Sequence, residues 1–284
     1  MASQVLRTLA EVKAWAADLR RAGHRLALVP TMGFLHEGHL SLMREGRKRA
    51  DVVATSIFVN PAQFGPKEDL SRYPRDLEGD LSKCASAGVD VVFVPEAGAM
   101  YPPGYETYVE VTEVSKGLCG DRRPGHFRGV ATIVTQLLSL FRPDVALFGE
   151  KDYQQLQVIK ALNRDLHLGV EILGMPTVRE LDGLAMSSRN AYLSAEERKR
   201  ALALSIGLGT AQSLYRSGST EASALIEAVR RELRAADLRE DYVELVDAER
   251  LTPLSSVQPG QPARLLVAAF CGTTRLIDNQ PIGG

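Results

Sequence analysis

The chain has 284 residues, of which 45% are hydrophobic and 24% are charged, and its formal net charge is −1. This is an ordinary globular composition, and the even charge balance disfavours a nucleic-acid-binding protein, which usually carries a basic excess. The three cysteines, Cys84, Cys119 and Cys271, are too widely spaced for a disulfide framework or a zinc ribbon. We expect a cytoplasmic protein, because the N-terminus has no apolar signal segment and no apolar run is long enough to cross a membrane.

The first half of the chain alternates between strand-like and helix-like patterns. Apolar runs that predict buried strands occupy residues 25–29, 51–59, 89–94, 144–149 and 169–174. Helical spacing is found in the charged N-terminal segment and in residues 39–50, 76–88, 129–141 and 152–166. Gly88 is placed to close the second of these internal helices. Continuous apolar strands alternating with helices predict an α/β fold, a parallel sheet covered on both faces.

The pattern changes near residue 177. Residues 194–218 and 219–236 predict two successive helices, and the first opens on Ser194 with Glu197 three residues later, as in a capping box. Three short strand patterns follow, YVELVDAERL, ARLLVAAFC and TRLIDNQ. We therefore expect a larger first domain at 1–177 and a smaller C-terminal α+β domain at 178–284.

Three polar turns follow predicted strands of the first domain: PTMGFLHEGH, FVNPAQF and FGEKDYQQ. Ligands of open parallel sheets bind beyond the carboxyl ends of the strands. The order of the segments therefore predicts that these three turns come together on one rim of the sheet.

The turn PTMGFLHEGH carries two of the five histidines of the chain, His36 and His39. A turn that leads into a helix leaves backbone N–H groups without helical partners, and the helix dipole adds partial positive charge, so the turn is a candidate anion site. With a helix starting near Leu35, both imidazoles would lie on one face and could donate to phosphate oxygens. Two alternatives stay open from this turn alone: the histidines could cap or pack, or they could form a zinc pair.

A second polar stretch, GLAMSSRNAYLS at 183–194, places two hydroxyl groups beside Arg189. Taken with the histidine turn, it resembles the paired motifs of the HIGH/KMSKS nucleotidyltransferases. The match extends through six blocks in order: PTMGFLHEGHLSL, FVNPAQFG, YPRD, GDRRPGHFRGV, FGEKDYQQ and MSSRN. Together with YVELVD and GTTRLIDN, they resemble the pantothenate synthetase family, the pantoate–β-alanine ligases, over nearly the whole chain.

The resemblance implies a reaction in which ATP and (R)-pantoate give pantoyl adenylate and pyrophosphate, and β-alanine then displaces AMP to give pantothenate. It also implies Mg²⁺, a Rossmann-like domain at 1–177 that binds the nucleotide and pantoate, a C-terminal lid domain at 178–284, a homodimer, and small molecules as substrates. From the charge balance and the short apolar runs we expect no nucleic-acid or membrane partner. Two rival functions stay open: an adenylyltransferase that stops after adenylyl transfer, and a nucleotide-binding module without catalysis. The second motif lacks the lysines of the aminoacyl-tRNA synthetase version, which favours the pantoate enzymes.

The resemblance also assigns roles to individual residues. The catalytic residues that it implies, which also bind ATP, are His36, His39, Lys151, Ser187, Ser188 and Arg189. Further positions that would line the nucleotide are Met32, Gly33, Gly149, Asp152, Val178 and Met186. Pantoate would be held by Gln63 and Gln155. Additional residues near the site would be Asn60, Arg123 and His126, and Asp80 would be associated with Mg²⁺.

Overall fold

The structure, a computed structural model, describes residues 2–66 and 68–283, and its internal contacts divide the chain into two compact units. The first unit consists of the chain up to Glu150 together with Val158–Pro176. The second consists of Lys151–Gln157 together with the chain from Thr177 onward. The third polar turn is therefore divided, because Gly149 belongs to the first unit and Lys151 to the second.

The first unit is built on six strands that all pair in parallel. These strands are β1 (Gln4–Leu6), β2 (Leu26–Thr31), β3 (Val52–Ile57), β4 (Val91–Phe93), β5 (Val145–Gly149) and β6 (Glu171–Met175). Their order in the sheet is β1-β4-β3-β2-β5-β6. The first four residues of β2 are buried, as in a sheet covered on both faces. The predicted parallel α/β sheet is confirmed.

Helices connect these strands, and their ends follow local sequence signals. They are α1 (Leu9–Arg21), α2 (Glu37–Arg49), α3 (Leu77–Ser86), α4 (Ala97–Met100), α5 (Leu118–Arg122), α6 (His126–Phe141) and α7 (Tyr153–Asp165), the last of which spans the division between the units. Helix α1 opens with a capping box between Thr8 and Glu11. Helix α3 ends at Ser86 with Ala87 as its C-cap, and Gly88 follows with a φ of +79°, a conformation that glycine adopts at little cost.

The core of the first unit lies where the helices pack on the sheet. Leu42 and Met43 of α2 pack with Val29, Val53 and Leu147 from three neighbouring strands. Elsewhere, Trp15 of α1 meets Phe141 of α6 edge to face, with ring centroids 6.1 Å apart. Burial of such side chains supplies most of the favourable free energy of a fold of this kind.

The strand order places the turns after β2 and β3 next to each other. Thr31, the last residue of β2, is level with Ile57, the last residue of β3, and β5 pairs with the other side of β2. The carboxyl ends of β3, β2 and β5 are thus neighbours in the sheet. This is the arrangement that the order of the polar turns predicts for the strand ends.

The second unit is a smaller α+β structure. Its strands are β7 (Arg239–Asp247), β8 (Ala263–Cys271) and β9 (Thr274–Ile282), which form an antiparallel sheet in the order β7-β8-β9. Its helices are α8 (Ala195–Ala201), α9 (Ala203–Arg216) and α10 (Ala222–Ala235). Leu208 and Leu225 from two of these helices pack in one core with Leu265 and Val267 of the central strand.

Two details of the predicted elements are wrong. The single helix predicted at 194–218 is two helices, because Leu202 separates α8 from α9; its N–H donates to the carbonyl of Lys199 at 3.3 Å, a tighter turn than α-helical. Leu202 keeps a right-handed backbone conformation, so the hydrophobic spacing continues across the break. The N-terminal segment is not wholly helical either, since Gln4–Leu6 pairs with β4 before α1 begins.

Among residues 2–66 and 68–283, no helix combines the length and the apolar character needed to cross a membrane.

Candidate active site

Two histidines mark the start of α2, directly after β2. His36 is the N-cap of α2 and His39 lies in its first turn. Their ring centroids are 4.0 Å apart, with an angle of 39° between the rings. The two imidazoles therefore lie together, as their spacing predicts, although α2 begins at Glu37 rather than near Leu35.

The backbone N–H groups of this turn are already engaged by side chains of the protein. The N–H groups of residues 33–36 donate, in that order, to Thr31 Oγ1 at 3.2 Å, Asp80 Oδ2 at 2.7 Å, Asp80 Oδ1 at 2.7 Å and His39 Nδ1 at 3.3 Å. The expectation that the backbone of this turn offers its N–H groups to an anion is therefore wrong for these four residues. The imidazoles are side-chain donors of the turn that suit an anionic ligand.

The hydrogen bond to His39 fixes the tautomer of its ring. His39 Nδ1 accepts from the backbone N–H of His36, the position that a glutamate or glutamine takes in a standard capping box. A neutral imidazole that accepts at Nδ1 carries its proton on Nε2. His39 is thus a donor at Nε2 without needing a positive charge, which suits contact with a phosphate oxygen at neutral pH.

Gln63, a predicted pantoate ligand, ends a short 3-10 helix, Pro61–Gln63, after β3. The buried side chain of Asn60 donates through Nδ2 to Gln63 Oε1 at 3.0 Å, and its own Oδ1 accepts from the Tyr101 hydroxyl at 2.7 Å. Gln63 Nε2 points to the sulfur of Met32, 3.2 Å away. Asn60 therefore sets which way the Gln63 amide faces, with its NH₂ group toward the turn after β2.

Arg123 and His126 support the backbone of Gln63. Arg123 pairs with Glu68 through Nε at 2.6 Å and Nη2 at 2.8 Å. Its Nη1 lies 2.9 Å from His126 Nε2, and His126 Nδ1 lies 2.9 Å from the carbonyl oxygen of Gln63. Because arginine can only donate, His126 Nε2 accepts and His126 Nδ1 donates to Gln63. Burial raises the pKa of Glu68, but the hydrogen bonds and charge of Arg123 lower it by more, to about 2.

Gly129 lets α6 approach this segment closely. A Cβ atom at Gly129 would lie 2.6 Å from the backbone nitrogen of Gln63 and nearer still to the carbonyl group of Ala62. The carbonyl oxygen of Gly129 also accepts from Asn60 Nδ2 at 3.1 Å. No side chain other than hydrogen fits between these two stretches of backbone.

The second unit fixes the backbone of Lys151. The Lys151 carbonyl accepts from Asn279 Nδ2 at 3.0 Å, and Asn279 Oδ1 accepts from Arg264 Nε at 2.7 Å. The guanidinium of Arg264 in turn lies 4.0 Å from the centroid of the Tyr153 ring. The ammonium group of Lys151 has Asp152 as a distant neighbour at 3.7 Å. These contacts tie the lysine to strands β8 and β9.

The MSSRN motif follows a hairpin of the second unit. The N–H of Met186 donates to the carbonyl of Val178 at 3.0 Å, so these two predicted nucleotide-lining residues are paired. Ser187 caps the 3-10 helix Ser188–Tyr192 by accepting from the N–H of Arg189 at 3.2 Å. Asn190 is held by Glu180 at 2.8 Å. The motif is thus an ordered helical turn rather than an irregular loop.

Comparison with known proteins decides the family. A model of the family described as pantoate-beta-alanine ligase matches residues 4–281. The chain belongs to the pantoate–β-alanine ligase family. It is 77% identical to the pantothenate synthetase of Myxococcus xanthus strain DK1622, in an alignment that covers 100% of this chain and 98% of that protein.

Solved structures of the family agree. The pantothenate synthetase of Thermus thermophilus is 45% identical, with a TM-score of 0.93, over 99% of this chain and 100% of that one. The pantoate-beta-alanine ligase of Francisella tularensis is 31% identical, with a TM-score of 0.82, over 98% of this chain and 97% of that one, and its structure is described as a complex with beta-gamma ATP and beta-alanine. The chain is therefore a ligase of pantothenate synthesis that uses ATP.

Several residues of this pantoate–β-alanine ligase that contact the predicted site residues are not evident from sequence. Glu68 holds Arg123, and Asn279 with Arg264 holds Lys151. The only signal for Asn279 is its place in the block GTTRLIDN, whereas Glu68 lies in a loop with no recognisable pattern.

Within the described parts of the chain, no group of three or more His, Cys, Asp or Glu side chains is arranged to hold a metal ion. Asp80, which the resemblance associates with Mg²⁺, has 1% of its surface exposed and uses both carboxylate oxygens to accept from the turn at residues 34 and 35. The surroundings of Asp80 do not fit a magnesium ligand.

Proposed function

We propose that the chain joins (R)-pantoate to β-alanine in two steps and that pantoyl adenylate is the intermediate. In the first step, a carboxylate oxygen of pantoate attacks the α-phosphorus of ATP, and the bond to the bridging oxygen breaks to release pyrophosphate. In the second, the β-alanine nitrogen attacks the acyl carbon, loses a proton, and the carbon–oxygen bond to AMP breaks. The products are pantothenate, AMP and pyrophosphate.

The first step needs charge neutralisation more than a covalent protein intermediate, because negative charge moves onto the leaving pyrophosphate. His36 and His39 supply hydrogen-bond donors toward the phosphates, and the tautomer of His39 supports this role because Nε2 carries the proton. Lys151 and Arg189 supply fixed positive charge. Ser187 and Ser188 add hydroxyl groups to the same contacts.

The remaining nucleotide contacts are assigned to residues without positive charge. They are Met32, Gly33, Gly149, Asp152, Val178 and Met186. Gly33 has a φ of +82°, so a side chain at this position would be strained as well as intrusive.

Pantoate is assigned to Gln63 and Gln155. An amide donates through its NH₂ group and accepts through its oxygen, which suits a substrate with both a carboxylate and hydroxyl groups. The oxygen of Gln63 already accepts from Asn60, so its NH₂ group is the part that suits the pantoate carboxylate. Arg123 and His126 act on this contact indirectly, by holding the Gln63 carbonyl.

The second step requires a neutral amine beside a reactive acyl phosphate. No general base is assigned, because placing the two reactants side by side can by itself provide a large part of the rate. An adenylate is easily hydrolysed, so exclusion of water favours the amide product. Closure of residues 178–284 as a lid is the form of exclusion that we propose. Small-angle scattering with and without ATP tests it, and equal radii of gyration would contradict closure.

The observation that carries the proposal is the pair of adjacent imidazoles at the start of α2, with His39 fixed as an Nε2 donor. The deciding experiment is isotope exchange: labelled pyrophosphate should enter ATP only when pantoate is present, and net AMP release should also require β-alanine. An adenylyltransferase that stops after the first step would release no AMP with β-alanine, and a non-catalytic module would give no exchange.

Single substitutions assign the roles. Lys151→Ala should lower the exchange rate about 10²- to 10³-fold if the lysine neutralises charge in the transition state. His36→Ala should also weaken adenylate formation while the melting temperature stays near that of the wild type. Normal kinetics in a folded variant would remove that residue from the reaction.

The proposal also includes a cytoplasmic homodimer, which the family resemblance supports. Analytical ultracentrifugation of the purified chain tests the dimer. Magnesium enters only as the ion that accompanies the triphosphate of the substrate, and no step is assigned to a metal held by the protein.

A further inference from the structure

We infer that Asp80 is a positioning residue for the histidine turn and not a ligand of magnesium. Its carboxylate holds the backbone of Phe34 and Leu35, and through it the histidines that follow. The inference rests on the proposed role of His36 and His39 in binding ATP.

The contact is specific in its geometry. Asp80 lies in the first turn of α3, and its side chain reaches a turn more than 40 residues earlier in the chain. Oδ2 accepts from the N–H of Phe34 and Oδ1 from the N–H of Leu35, both at 2.7 Å. One buried carboxylate thus binds two successive amides, a charge-assisted pair of hydrogen bonds.

The backbone at this point adopts a conformation that needs such a partner. Gly33 has a φ of +82° and Phe34, which is not glycine, a φ of +50°. Successive residues with left-handed or turn conformations aim their N–H groups to one side and form a concave anion-binding backbone. In this chain the anion is the protein's own carboxylate. Gly33 makes room for it, since a Cβ atom there would lie 3.0 Å from Asp80 Oδ2 and 2.9 Å from Ile57 Cγ2.

The same contacts disagree with metal binding. Magnesium prefers six oxygen ligands and usually keeps several waters. Asp80, in contrast, is 1% exposed, and both of its carboxylate oxygens accept hydrogen bonds from backbone N–H groups. Burial raises the pKa of the Asp80 carboxyl, and the N–H groups of Leu35 and Phe34 oppose that rise. A carboxylate that left the turn for a metal would give up its hydrogen bonds from the half-buried N–H of Phe34 and the buried N–H of Leu35, which is unfavourable.

The histidines follow directly from the held segment. His36 is the next residue after Leu35, and its own N–H is bound by His39. A shift of the backbone at residues 34 and 35 therefore moves both imidazoles together. Misplacement of a binding group by about 1 Å can cost about 10²-fold in rate.

The test is Asp80→Asn, which keeps the shape but replaces one acceptor oxygen with an NH₂ group that faces a backbone donor. In spectra of protein labelled with ¹⁵N at Phe and Leu, the Phe34 and Leu35 amide protons should lie far downfield in the wild type and move upfield in the variant. Pantoate-dependent pyrophosphate exchange should fall about 10- to 100-fold, and the Mg²⁺ concentration for half-maximal exchange should stay within twofold of the wild type.

Asp76→Ala is the matched control. The Asp76 side chain caps the same helix by accepting from the N–H of Gly79 at 3.0 Å, so its hydrogen bond lies within α3 and not in the histidine turn. Its loss should destabilise α3 while the Phe34 and Leu35 resonances and the exchange rate stay close to those of the wild type. An equal loss of exchange in Asp76→Ala would reduce Asp80 to a general structural role and overturn the inference.

Three further outcomes would also overturn it: unchanged Phe34 and Leu35 resonances in Asp80→Asn, unchanged exchange in that variant while His36→Ala is inactive, or a tenfold rise in the Mg²⁺ requirement. If His36→Ala is fully active, the proposed role of the turn fails instead, which distinguishes the two. If Asp80→Asn does not fold, Mn²⁺ is added to the nucleotide-free wild type instead. Broadening of the Phe34 and Leu35 amide resonances at low Mn²⁺ would show a metal at Asp80 and overturn the inference. Resonances that stay sharp and downfield would support the carboxylate as the partner of both amides.

Discussion

Replacement of Gly129 by alanine should damage both the stability of the first unit and the binding of pantoate. The added methyl carbon would sit 2.6 Å from the backbone nitrogen of Gln63 and closer to the Ala62 carbonyl. Carbon and oxygen atoms in contact normally stay about 3.3 Å apart or more, so the two backbones would have to separate by about 1 Å. Both neighbours are main chain, so no side chain can rotate to relieve the clash.

The size of the effect follows from two opposing contributions. Overpacking of a filled site costs about 1–3 kcal/mol, and we expect the upper end here because backbone has to move. Alanine in a helix gains about 1 kcal/mol over glycine, which offsets part of that cost. A net loss of about 2 kcal/mol should lower the melting temperature by about 3 °C in a chain of 284 residues, because the entropy of unfolding grows with chain length.

Thermal unfolding followed by circular dichroism measures the first effect, and the KM for pantoate measures the second, because Gln63 and its partner Asn60 both contact the displaced segment. Gly209→Ala is the matched control: Gly209 lies in α9, is exposed, and has open space where a Cβ would be, so that variant should be as stable as the wild type or more so. A Gly129→Ala protein that melts with the wild type and keeps its pantoate KM would refute the close-packing argument.

Three other predictions rest on single contacts. Because the pKa of Glu68 lies near 2, below its ordinary 4.5, its pair with Arg123 should stabilise the fold above about pH 4.5 and lose that effect as the pH falls toward 2. In urea titrations, the free energies of unfolding of wild type and Glu68→Gln should differ by up to about 3 kcal/mol at pH 7 and converge at pH 2. A difference that stays constant with pH would contradict the pairing. Asn279→Ala should lower pyrophosphate exchange about tenfold by releasing the Lys151 carbonyl, and wild-type exchange in that variant would exclude such anchoring. Burial raises the pKa of Cys84 to about 12, so native protein should resist iodoacetamide that alkylates all three thiols in guanidinium, and rapid native labelling of this cysteine would contradict its burial.

Much of the sheet could be predicted because its signals are local. The apolar runs that form β2, β3 and β5 are continuous, and each ends in a turn with glycine or proline, so both the strands and the polar turns after them are visible in the sequence. The antiparallel strands of the second unit also follow local apolar runs in the sequence, whereas the assignment of Lys151–Gln157 to that unit has no local signal. The three-residue β1 escapes prediction because only Val5 and Leu6 of it are apolar, whereas β4, which is equally short, lies within the apolar run at 89–94.

Only part of the candidate site could be predicted from the sequence. Local spacing brings His36 and His39 together, but nothing near them in sequence says that Asp80 would occupy the amides of the turn. That contact joins two elements far apart along the chain, and many carboxylates could in principle have made it. The break between α8 and α9 at Leu202 could not be predicted either, because the helical spacing of hydrophobic residues continues through it unchanged.

The edge-to-face packing of Trp15 on Phe141 gives the protein an internal optical probe. Trp15 is the single tryptophan of the chain and belongs to the first unit, whereas helices and strands of both units contribute to the far-ultraviolet dichroism. Emission from the indole therefore follows the melting of one unit while dichroism follows both. Superimposable curves would mean that the two units unfold as one cooperative block, and separated curves would reveal which of them is the weaker.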